Sequence, residues 1–227
     1  MTPAIGPFFL LRPSHSDRRA LERRIPSLQF NFPHVGITTN TKELNFQDLQ
    51  DLKGWAINRT RAQVGTGREA YNKAVAALLT WRHFYFDWAF TNAPTIKRNA
   101  SVVVIAQSLF LWSMNPLRIT SVEKNIHRKV KNKSGTGVRQ QQRKCYQTSF
   151  AHTTVAGHQI SGEERFTVEW NKENDSVWYE VYTISKPATL VATLAQPLLR
   201  FYQRLFVVQS IQAMKKRSFC YEFFLEK

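Results

Sequence analysis

The chain predicts an α+β fold in which a curved antiparallel β-sheet grips a long C-terminal helix. Three observations carry that expectation. Alternating and apolar segments follow one another between Val102 and Ile184 with short turns between them. A periodic, aromatic-rich helix precedes them at about residues 68–89, and a second amphipathic helix follows Pro197. A sheet must have a face covered, and two such helices are available to cover it. The chain has 227 residues, 43% of them hydrophobic and 13% aromatic, enough to bury a substantial core.

At the N-terminus, Phe8-Phe9-Leu10-Leu11 is too short for a secretory core and lacks a small-residue cleavage pattern. The Arg-rich stretch up to Arg24 allows two readings. One is an organelle transit peptide. The preferred one is a short helix over residues 17–24, capped by Ser14 or Ser16, acidic in its first turn and basic in its last. Residues 29–38 read as an early strand broken by Pro33, residues 42–53 as loop or a marginal helix, and residues 55–60 as a short strand. Val64-Gly65-Thr66-Gly67 reads as a turn; with no Walker lysine following, it is a poor phosphate loop. In the helix that follows, Tyr71, Ala74, Leu78, Trp81, Tyr85 and Trp88 recur at steps of three and four and share one face.

Residues 102–112 form a continuous apolar run, read as one strand buried on both faces. Residues 116–123, 145–156, 163–170 and 177–184 are further strands, and the turn at 171–175 joins the last two, which makes an antiparallel meander. Lys186-Pro187 stops the last strand. Leu190 and Leu194 mark a short turn of helix, and Leu198, Phe201, Leu205 and Val208 mark the apolar face of the long one. Residues 1–217 are thus read as a single domain with a basic loop insertion at 125–144, and residues 218–227 as a tail. A hollow between sheet and C-terminal helix suits an apolar ligand.

Lys and Arg number thirty-two against sixteen Asp and Glu, a net charge of +16. Such a surface attracts polyanions: anionic lipid, acidic protein or nucleic acid. Residues 125–144 concentrate Arg128, Lys129, Lys131, Lys133, Arg139, Arg143 and Lys144 with no acid among them. They read as a solvated loop, with an anionic surface as the alternative target. No nucleic-acid-binding motif accompanies the charge, so nucleic acid is the least favoured partner. Cys145 and Cys220 are too far apart to suggest a disulfide framework and fit an intracellular, reducing compartment, cytoplasmic or plastid-associated. No run approaches the length of a spanning helix. No metal-ligand spacing, cofactor motif or catalytic triad is legible, so metal, cofactor and catalytic residues are all expected to be none.

The densest polar chemistry lies in Ala156-Gly157-His158-Gln159-Ile160-Ser161-Gly162-Glu163-Glu164-Arg165-Phe166, a strand-to-strand hinge bracketed by two glycines. Strand alternation puts Glu164 on the face of Phe166, Val168 and Trp170, and Glu163 on that of Arg165, Thr167 and Glu169. If the aromatic face is inward, Glu164 stands at a cavity wall and needs a partner. His158, Arg200 and Arg204 are the candidates. Glu163, Arg200, Gln203 and Arg204 otherwise serve as scaffold polar groups tying the hinge to the last helix. His83 and His152 sit in apolar patterns and read as satisfied core or surface residues.

Phe8-Phe9-Leu10-Leu11-Arg12-Pro13-Ser14, Phe32-Pro33-His34-Val35-Gly36-Ile37-Thr38, Val64-Gly65-Thr66-Gly67 with Trp81 downstream, the hinge, Val177-Trp178-Tyr179, Ser185-Lys186-Pro187 and Pro197 with Arg200, Gln203 and Arg204 span nearly the whole chain. Together these pieces resemble uncharacterised protein family 0548, a plant and bacterial family of unknown function. That family in turn resembles START and Bet v 1-like helix-grip proteins. The resemblance implies a binding module for an apolar or lipid-like ligand more than an enzyme. Trp81, Tyr85, Trp170, Trp178 and Phe201 are expected to line the cavity, with His158 and Glu164 at its polar end. The alternative is a membrane-peripheral protein using its basic surface.

Overall fold

The computed structural model describes residues 4–5, 8–39, 46–131 and 142–219. Its centre is a curved antiparallel sheet. The strands are β1 (Ala4–Ile5), β2 (Phe8–Phe9), β3 (Ala56–Thr66), β4 (Ala89–Thr91), β5 (Ser101–Ser108), β6 (Leu111–Lys131), β7 (Gln142–Thr154), β8 (Ile160–Asn171) and β9 (Ser176–Pro187). Strand order runs β4-β5-β6-β7-β8-β9-β3, and β2 with β1 pairs with the first residues of β6. The helices are α1 (His15–Arg24), α2 (Phe46–Asp51), α3 (Gly67–Leu79), α4 (Leu190–Leu194) and α5 (Gln196–Phe219). The inner face of the sheet packs on α3 and α5, so the helix-grip expectation holds. The outer face is covered too, by α1 against Val103 and Ile105 and by Phe32 and Leu52 against Ile184.

The N-terminal helix forms as its caps predict. The Ser14 hydroxyl accepts from the Asp17 N–H, the Asp17 carboxylate accepts from the Ser14 N–H, and Arg23 and Arg24 lie in the last turn. Other expectations are corrected. Residues 29–38 are not a strand: one bridge joins Phe30 to Val155, and a 3-10 turn runs Ile37–Thr39. Val64-Gly65-Thr66 continues β3 rather than turning, with a bulge between Gln63 and Gly65. The apolar run 102–112 is a hairpin, turning at Leu109 and Phe110, where Leu109 adopts φ 57°.

The long helix ends ten residues earlier than its periodicity suggests. It stops at Leu79, Trp81 adopts φ 60° and ψ 21°, and a 3-10 turn Arg82–Phe84 follows. Aromatic residues are indifferent helix formers, and breaking the helix drives Trp81, His83 and Phe84 together into the core. The described ends of the stretch read as a basic loop, residues 125–131 and 142–144, are sheet. Arg128 pairs in register with Cys145, Lys129 with Lys144, Val130 with Arg143 and Lys131 with Gln142. Lys133 and Arg139 lie outside the described residues, as does the tail beyond Phe219.

Two adjacent charges on β8 hold the outer layer. Glu163 is 2% exposed, and its carboxylate accepts from the Gly36 N–H (2.7 Å), the Thr38 N–H (2.9 Å) and the hydroxyls of Thr38 (2.6 Å) and Thr153 (2.7 Å). Arg165, two residues on and on the same face, donates to the Thr38 carbonyl at 3.0 Å. Thr38 is therefore gripped at both its N–H and its C=O. Gly162 permits this strand pairing for a steric reason: a Cβ there would stand 2.4 Å from the Ile184 carbonyl oxygen. Gly157, at φ 93°, is the glycine that the turn itself requires.

Replacing the carboxylate leaves the buried Thr38 N–H and the half-buried Gly36 N–H without an ionised acceptor. Glu163→Gln should destabilise the protein by about 3 kcal/mol. Denaturant unfolding, followed with limited proteolysis of the segment before residue 40, measures both the cost and the loosening of the outer layer.

Candidate functional site

The inner face carries a chamber of aromatic rings around three polar side chains. Phe150, His152 and Thr154 alternate inward along β7, and Glu164, Phe166 and Val168 do so along β8. Antiparallel register sets His152 directly opposite Glu164. Their Nε2 and Oε2 atoms are 3.2 Å apart. The 3-10 turn after α3 delivers His83 from the other side. Its ring lies 4.7 Å from that of Phe166 and 6.2 Å from that of Tyr179. Trp81 lies nearly parallel to both histidines, at 5.9 Å from His83 and 6.3 Å from His152. From α5, Phe206 closes against Phe84 at 4.5 Å, and Ser210 bonds the Tyr179 hydroxyl at 2.7 Å.

His83 is the anomaly. It is fully buried, and neither ring nitrogen has a hydrogen-bond partner; His152 Nδ1 is likewise buried and unpartnered. Leaving such groups unsatisfied costs roughly 1–3 kcal/mol each. Burial, with a smaller contribution from His152, lowers the His83 pKa to about 3. Burial raises the Tyr179 phenol well above its usual range, the Ser210 bond offsetting part of this and the Glu164 charge adding to it. The chamber thus holds neutral imidazole and neutral phenol beside one carboxylate.

The expected site residues are distributed differently. Glu164 does face inward with Phe166, Val168 and Trp170, but its partner is His152, not His158, Arg200 or Arg204. His158 sits in the turn, where Nδ1 accepts from the Ile160 N–H at 2.9 Å. Burial and the neighbouring His152 lower its pKa to about 3. Trp81 belongs to the chamber wall. Trp170 is core, stacked on Tyr146 and Tyr71 near one end of the sheet. Tyr85 is 69% exposed because the helix that would have turned it inward ends before it. Trp178 lies on the outer face, where the Arg61 guanidinium stands 4.8 Å over its ring. Phe201 is exposed, and so are Arg200 and Arg204; Gln203 reaches Ser185 at 3.4 Å. The expected hollow beneath α5 is occupied by Phe84, Phe166 and Phe206.

Sequence reading missed His83, His152, Tyr179 and Ser210. For His152 a signal was present: residues equidistant from His158 face one another across the hairpin, and that pairs 152 with 164. No comparable signal existed for His83, because its position depends on the helix breaking at Trp81.

The histidines set an acid limit on stability. The unfolded chain binds protons at these rings near pH 6.5, while the folded chain resists until about pH 3. The unfolded state therefore holds more protons across that window, and stability falls as pH drops through it. His83→Phe should raise stability at pH 7 by about 1 kcal/mol and flatten the loss between pH 6.5 and 3. Urea midpoints measured across that range read both effects.

Relatives of similar length exist in a plant, an amoeba and a bacterium. A UPF0548 protein of Arabidopsis thaliana is 28% identical over 207 residues, covering 90% of this chain and 94% of its own. One from Dictyostelium discoideum is 29% identical over 220 residues, covering 92% and 94%. One from Deinococcus radiodurans is 28% identical over 157 residues, covering 66% and 72%. Among solved structures, the hypothetical protein jhp0584 from Helicobacter pylori superposes with a TM-score of 0.46 at 10% identity, over 72% of this chain and 87% of that one. A START superfamily protein from Mycobacterium smegmatis gives 0.40 at 8% identity, over 71% and 96%. The sequence pattern of one family, described as Domain of unknown function (DUF1990), matches residues 36–213, and the chain belongs to that family.

Proposed function

We propose that this protein is a binding module for an apolar small molecule carrying one hydrogen-bonding group, held at the inner face of the sheet beneath α5. The observation that carries this reading is the set of buried, unpartnered imidazole nitrogens on His83 and His152, enclosed by aromatic rings. A group that both donates and accepts would satisfy them, and the rings supply the apolar surface that drives burial. Entry requires α5 to shift, because Phe206 fills the space between helix and sheet. Among the described residues of that helix, Phe206, Ser210 and Met214 are the buried ones. Binding is favoured over catalysis because the hydroxyls of Ser185 and Ser210 are engaged, Ser185 accepting from Gln203 and Ser210 bonding Tyr179.

Native mass spectrometry of the purified protein and titration with a fluorescent fatty-acid probe test the reading. Wild type should carry a co-purified small molecule or saturate with the probe. His83→Phe and His152→Phe should each weaken probe binding about tenfold. A protein that carries nothing and shows no saturable probe binding is not a module of this kind.

A further inference from the structure

We infer that the outward face of the C-terminal helix is a docking surface for an anionic lipid bilayer. Backbone hydrogen bonds from Ala195 to Val191 and from Leu199 to Ala195 carry the helical path from α4 into α5. Along this path Leu190, Leu194, Leu198, Phe201, Leu205 and Val208 recur at steps of three and four. Sequence periodicity marks this stripe as the one to bury. The structure buries another face, Phe206, Ser210 and Met214, and leaves Leu190 75% exposed, Leu194 77%, Phe201 58% and Val208 52%, with Leu198 and Leu205 half-buried between them.

A second apolar point lies beside the stripe. The β5–β6 turn exposes Leu109 and Phe110, and the Leu109 N–H donates to the Tyr202 hydroxyl of α5 at 2.9 Å. Scattered exposed leucines need no explanation, but a helical stripe continued by a neighbouring turn is a surface seeking a partner.

Charge selects the partner. Residues 187–219 contain Arg200, Arg204, Lys215, Lys216 and Arg217 and no acidic residue. Arg200 and Arg204 are exposed and stand beside Phe201 and Leu205 in the chain. A second copy would bring like charges together, on a chain already at +16. Anionic headgroups complement them, while the apolar side chains enter the acyl boundary. Among the described residues no helix is long and apolar enough to cross a membrane, so this one lies on the surface.

The test is co-flotation with vesicles made of equal parts phosphatidylcholine and phosphatidylserine, against vesicles of phosphatidylcholine alone. The full chain should float with the anionic vesicles and weakly with the neutral ones. Leu194→Ser and Phe201→Ser, both at exposed positions, should keep the wild-type Tm and together reduce vesicle affinity roughly a hundredfold. Arg200→Glu with Arg204→Glu should remove the preference for anionic lipid. Two results would overturn the inference. One is unchanged flotation of the Leu194→Ser, Phe201→Ser variant, which would place lipid binding elsewhere. The other is a wild-type protein that ignores vesicles, for which light scattering would show whether the stripe instead joins two copies. Failure of the fatty-acid probe to bind leaves these outcomes untouched, since the stripe faces away from the chamber.

Discussion

Two neighbouring carboxylates on β8 are sent to opposite faces of the sheet by strand alternation, and each organises one side of the molecule. Glu163 points outward and is satisfied by two backbone N–H groups and two hydroxyls, all at or below 2.9 Å. It anchors the N-terminal layer. Glu164 points inward and meets His152, the polar pair in an otherwise aromatic chamber. Because a one-residue slip would exchange the two faces, register here is under strict control. The Gly162 contact with the Ile184 carbonyl and the left-handed turn at Gly157 enforce it from either end of the hinge.

The two sites differ in how completely their polar groups are satisfied. On the outer face the Glu163 carboxylate is fully engaged, and Thr38 both donates to it and accepts from Arg165. The inner cluster is open, with His83 unpartnered at both nitrogens. A satisfied buried network rigidifies, while an unsatisfied one stores free energy that a suitable occupant releases. On the proposed binding reading, stability and recognition are divided between the faces of one strand.

The C-terminal helix is asked to serve both sides of its own circumference. Its buried edge is built of Phe206 and Met214, with Ser210 between them. Its apolar stripe faces away. In the two proposals above, that distribution lets the helix yield to a ligand on one side and offers its other side to a bilayer.

The sequence by itself determined the α+β class, the meander, the capped N-terminal helix and the opposite facing of Glu163 and Glu164. These follow from local rules: caps act within a turn, and alternation is a property of extended backbone. Only the tertiary structure decided where the aromatic helix breaks and which face of the last helix is buried. At Trp81 the gain from burying Trp81 and Phe84 together outweighs continuing a regular helix and carries His83 inward with them. On α5, periodicity identifies an apolar stripe but carries no information on its direction. The direction is set by what the sheet already presents, and there Phe84, Phe166 and Tyr179 accept Phe206 and Ser210 in place of Phe201 and Leu205.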